Sequence, residues 1–73
     1  MYYKEKARLI DEAKTNFVRA MREQYDDIRK DYERAVSEGY GDDLLDRYFE
    51  GVGLGMNLAV IEMTEGRENL WGA

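Results

Sequence analysis

The sequence predicts an all-α protein, built as an antiparallel hairpin of a long N-terminal helix (about 3–38) and a second, glycine-containing helix (about 42–65). Three observations carry this. Apolar residues recur at helical spacing through the first half, a glycine-rich break is followed by an aspartate suited to start a second helix, and no proline interrupts either stretch. At 73 residues the chain is one small domain (1–73) with a short C-terminal tail (66–73), in the size range where a single chain struggles to bury a sufficient core.

The first helix is written by its apolar steps. Ile10, Ala13, Phe17, Met21, Tyr25 or Ile28, Tyr32 and Ala35/Val36 lie three or four apart, which is one stripe on a straight helix. The remaining faces are dense in charge. Arg22–Asp26, Asp26–Lys30 and Arg29–Glu33 are four apart, where side chains meet on a helix surface and each pair adds about 0.3 kcal/mol. A helix of this length extends roughly 50 Å at 1.5 Å per residue.

The break is Glu38-Gly39-Tyr40-Gly41. Gly39 suits the left-handed residue that ends a helix, and Gly41 frees the chain to reverse. Asp42 is placed to cap the next helix, with Asp43 and Asp46 in a first turn where the helix dipole favours negative charge. The cluster Glu38, Asp42, Asp43, Asp46 and Glu50 therefore has a structural explanation as well as a functional one, an acidic patch for a partner.

The segment EGVGLGMNLAVIEM, residues 50–63, admits three readings. A phosphate-binding loop requires a preceding strand and a helix N-terminus facing the anion; here a capped helix precedes Gly51 and no Lys-Ser or Lys-Thr follows. A strand over LAVIEM after a glycine turn is the second reading, since short apolar runs fit either structure. The helical reading accounts for most. Leu45, Tyr48/Phe49, Val52, Met56, Ala59/Val60 and Met63 form one stripe, and Gly51, Gly55 and Ala59 form a strip of small residues that lets two helix backbones approach. Each glycine costs a helix about 1 kcal/mol relative to alanine, which a tight contact would offset. Leu54, Leu58 and Ile61 face a further direction, so this helix needs cover on more than one side.

Leu70 and Trp71 are apolar anchors in the tail RENLWGA. Trp71 is expected either to fold back and plug the hairpin or to dock a partner. The second helix is too short to cover the whole of the first, which leaves Tyr3, Ile10 and Phe17 exposed. Two open apolar surfaces predict a homodimer in a four-helix arrangement, with Gly51, Gly55, Ala59, Leu54, Leu58, Ile61, Ile10 and Phe17 as the packing and dimer residues.

Composition narrows the function. The chain has no cysteine and no histidine, so disulfides, thiolate metal sites, and the commonest general base and metal ligand are all missing. Thr15, Ser37 and Thr64 have no histidine to activate them. Asp26, Asp27 and Asp31 lack calcium-loop spacing and alternate with Arg and Lys. Neither catalysis nor a metal or cofactor site is expected. No apolar stretch approaches a membrane span and no signal-peptide core opens the chain, so a soluble cytoplasmic protein is expected.

The net charge of −5 is uneven: residues 1–36 carry nine basic side chains against eight acidic, and residues 37–73 carry two against eight. The expected function is that of a small acidic regulator or inhibitor that occupies a basic, nucleic-acid-binding surface of a larger protein such as a host nuclease. Phage-borne or mobile-element inhibitors are similar to it in size, charge and helicity. The alternative is an RNA- or DNA-binding dimer acting through Lys4, Lys6, Arg8, Lys14, Arg19 and Arg22. In architecture alone the hairpin resembles the helical-hairpin dimers of plasmid copy control, which bind RNA across a bundle face. A purely structural dimeric module is the third possibility.

Overall fold

A computed structural model describes residues 2–72; Met1, and Ala73 at the end of the tail, lie outside the described residues. Two helices, α1 (Tyr2–Ser37) and α2 (Asp43–Thr64), pack against each other as an antiparallel hairpin. The strand alternative for LAVIEM is replaced by continuous helix through α2. Among the described residues no helix is long and apolar enough to cross a membrane.

The chain reversal follows from local chemistry. The N–H of Gly39 donates to the Val36 carbonyl at 3.1 Å and that of Tyr40 to the Ala35 carbonyl at 2.9 Å, with Gly39 at φ +91°. This pair of bonds satisfies carbonyls that the helix end leaves open, and the positive φ suits a residue without Cβ. Asp42 then caps α2 as its spacing predicts, its carboxylate accepting the Leu45 N–H at 2.7 Å. At the far end the same motif recurs with Glu65 in the left-handed conformation (φ +56°), so α2 ends at Thr64, within a residue of the expected bound.

The interhelical seam buries Val18, Val60 and Leu70, with Phe17, Met21, Tyr25 and Met56 packed around them. Val18 lies off the apolar stripe read from the sequence. It is buried because the tail returns over that flank of α1 and lays Leu70 on it.

The tail is held by polar groups. The Thr64 hydroxyl donates to the Val60 carbonyl at 2.9 Å and accepts the Glu68 N–H at 3.1 Å. Leu70 N–H donates to the Asn57 side-chain oxygen at 2.8 Å, and Arg22 donates to the Asn69 carbonyl at 2.9 Å. These bonds make Leu70 the plug, 3% exposed, whereas Trp71 is 59% exposed and meets the Tyr25 ring edge-on at 6.2 Å. The expectation that Trp71 plugs the hairpin is corrected accordingly. The backbone turn places position 70 inward and position 71 outward.

The expected Arg22–Asp26 pair is also replaced. Arg22 reaches Glu68 at 3.4 Å across the fold, while Asp26 pairs with Arg29 and, at 3.3 Å, with Lys30. The hydrogen bond from Arg29, followed by that from Lys30, holds the Asp26 carboxyl below its ordinary pKa. A carboxyl whose pKa is lowered by folding contributes stability that is present above its unfolded value and is lost as pH falls through the folded one. Stability is therefore expected to decline on acidification below about pH 4, the ordinary aspartate range. In urea titrations at stepped pH, Asp26→Asn should flatten part of that decline; an unchanged acid limb would show that this cluster contributes nothing.

Candidate functional site

The hairpin tip gathers the carboxylates Glu38, Asp42, Asp43, Asp46 and Glu50, all exposed, with Arg47 the one basic residue from 38 to 50. Sequence proximity brings them together: one directly follows α1, one caps α2, and three lie within the first eight residues of α2. Two have structural tasks. Asp42 caps α2, and Asp46 accepts a hydrogen bond from the Tyr32 hydroxyl of α1. That bond, then burial, then the nearby charges of Asp46 and Glu50 raise the Tyr32 pKa above its ordinary value. Among the described residues the side chains of Glu38, Asp43 and Glu50 have no hydrogen-bond or ion-pair partner, so their charge faces water.

Beside these carboxylates runs an open apolar groove between the helices, lined by Ile28, Tyr32, Ala35, Leu45, Phe49 and Val52, with Asp31 and Tyr48 at its edges. Its floor belongs to an aromatic series along the seam. Phe49 stacks on Tyr32 at 4.5 Å and on Tyr25 at 5.5 Å, and Tyr25 meets Trp71. Tyr40 stands free at the tip, 71% exposed. Among the described residues no three carboxylates converge on a point where a metal ion could be held.

The residues expected to pack helices divide. Phe17 lies against the core, and Ala59 and Ile61 are half-buried. Ile10 is exposed on the part of α1 that α2 does not reach. Gly51, Gly55, Leu54 and Leu58 all face away from α1 into solvent, and a Cβ built at Gly51 or Gly55 would meet nothing within 4 Å. The glycine that admits α1 is Gly53, buried, where a Cβ would lie 3.1 Å from the Tyr25 ring. Within the hairpin, close approach therefore runs through Gly53 and not through the Gly51/Gly55/Ala59 strip.

Half of the basic set on α1 is paired with carboxylates: Arg8 with Glu5 and with Glu12 at 2.6 Å, Lys14 with Glu65 at 3.7 Å, and Arg22 with Glu68. Arg19 donates to Asn16. Lys4 and Lys6 make no ion pair among the described residues. The tail anchors Asn57, Thr64 and Arg22 are not legible as such in the sequence. The one available signal is Asn57, a lone amide inside the apolar run 52–61, where an unbonded polar group would be costly.

No protein-family model matches the chain, and neither the curated proteins nor the solved structures hold a significant match to it.

Proposed function

We propose that this chain is a small non-enzymatic protein-binding regulator or inhibitor that presents its acidic hairpin tip to a basic, nucleic-acid-binding surface of a larger protein, such as a nuclease. The observation that carries the reading is the uncommitted charge of Glu38, Asp43 and Glu50 around the exposed Tyr40, beside the apolar groove over Tyr32 and Phe49. Carboxylates of one sign steer encounter with a basic surface, while an aromatic anchor and an apolar groove supply contact area. The N-terminal helix offers a nucleic acid less, since Arg8, Lys14 and Arg22 are already neutralised by carboxylates.

The test compares the wild-type chain with the triple variant Glu38→Gln/Asp43→Asn/Glu50→Gln, which spares the Asp42 cap and the Asp46–Tyr32 bond. Both are used as bait in a nuclease-treated lysate, with washes at low and high salt. The expected result is a stoichiometric nucleic-acid-binding partner, released by high salt or by added DNA and absent from the variant. Equal retention by the variant would remove the tip from the interface. Recovery of RNA or DNA from an untreated lysate, without a protein partner, would move function to the basic end of α1.

A further inference from the structure

The outer face of α2 is apolar and uncovered. Leu44, Tyr48, Leu54 and Leu58 are 58–76% exposed there, alongside the open positions Gly51 and Gly55. The chain as a whole is also too open for a self-sufficient monomer. Its accessible surface is 5829 Å², whereas a folded monomer of this mass exposes about 4,700 Å². Its radius of gyration is 15.9 Å, against about 11 Å for a globule of this length. The excess, about 1,100 Å² per chain, is shared between the start of α1, which α2 does not reach, and the outer face of α2; it leaves room for an interface of standard size, about 800 Å² per partner.

We propose that a second copy of this chain covers the outer face of α2, packed antiparallel about a two-fold axis between Leu54 and Gly55. About this point the leucines and glycines of that face complement one another, and so do its rim charges. Leu54 meets Gly55 of the second copy, and Gly51 meets Leu58 of the second copy, so each leucine enters a notch left by a glycine. At the rim, Arg47 meets Glu62 of the second copy; neither residue has an ion-pair partner within its own chain among the described residues. A two-fold interface requires that each patch fit itself, and this one carries both knob and hole, both plus and minus.

A parallel pair would instead set glycine on glycine, Arg47 on Arg47 and Glu62 on Glu62. It would also bring the two acidic tips together. The antiparallel pair holds them about 30 Å apart along helices of 22 residues, well beyond the Debye length of about 8 Å in physiological salt. The dimer thus exposes one tip at each end, and this inference does not depend on what the tip binds.

Sedimentation equilibrium on the full chain tests it. The wild type is expected to be dimeric at micromolar concentration. Leu58→Glu is expected to weaken association by about 100-fold or more, because its carboxylate would be desolvated without a counter-charge. A wild type that stays monomeric at about 100 µM, well above the micromolar range expected for such an interface, or a dimeric Leu58→Glu chain, would overturn the proposal. Orientation is read from two further variants whose substituted side chains lie at the rim, so that folding does not depend on them. Arg47→Glu alone and Glu62→Arg alone should each dimerise about tenfold more weakly. Mixed, they should recover wild-type affinity as a heterodimer, in which both rim pairs are again of opposite sign. A mixture no tighter than its components would overturn the antiparallel register.

Discussion

Leu70→Ala is expected to lower the free energy of unfolding by about 2–4 kcal/mol, the range for truncating a buried leucine to leave a cavity. Leu70 is 3% exposed and closes the core together with Val18 and Val60. With so few side chains fully shielded, the surroundings have little with which to refill the space. A chain of this size has only a few kcal/mol of stability to lose, so the variant should be substantially unfolded at 37 °C. Urea denaturation followed by circular dichroism measures the effect. Trp71→Ala is the informative contrast: it removes a larger side chain, but one mostly in water, and should cost less than about 1 kcal/mol. If the tryptophan variant proved the more damaging of the two, the assignment of Leu70 as the plug would be wrong.

Gly53→Leu is the second large effect. A methyl alone at this position would sit 3.1 Å from the Tyr25 ring edge, and a leucine adds three more carbons in the same direction. Tyr25 has little room to retreat, because Phe49 stacks on it at 5.5 Å and Trp71 meets it edge-on. Overpacking of this kind costs about 1–3 kcal/mol, and at a helix crossing the upper end applies. The gain from replacing a mid-helix glycine is about 1 kcal/mol, so the net expectation is a loss of about 2 kcal/mol. Gly53→Ala should come out near neutral, since a shift of the ring edge by a few tenths of an ångström is offset by the gain in helix propensity. A leucine variant that melted with the wild type would show that α1 and α2 do not cross at this residue.

These two positions also mark where the sequence pattern reaches its limit. Residues 51, 53 and 55 are all glycine within one apolar run, and spacing alone favours the strip of Gly51, Gly55 and Ala59. Which glycine meets α1 depends on how α2 is rotated about its own axis. That rotation is set by the burial of Phe49, Met56 and Val60 against the other helix. With that face turned inward Gly53 lies under Tyr25, and the strip is left on the opposite side. At the tail, size and hydrophobicity favour Trp71 as the anchor. The Asn57 hydrogen bond to the Leu70 N–H and the turn built on Thr64 decide instead for Leu70. Arg22 leaves its helical neighbour Asp26 for the same reason, since the returning tail brings Glu68 and the Asn69 carbonyl above it.

What the sequence determined by itself is whatever local chemistry controls. The two helices follow from periodicity, the reversal from Gly39, and the start of α2 from Asp42; so does the acidic tip, whose carboxylates are neighbours along the chain. The tertiary structure decided everything that needs two distant segments at once: the groove over Tyr32 and Phe49, the burial of Val18 off its stripe, the choice among three glycines, and the exposed outer face of α2. Helix stripes and caps depend on the spacing of residues within a few turns. Azimuth and tail placement depend on which of several comparable apolar surfaces are covered first, and that is settled only when the whole chain packs.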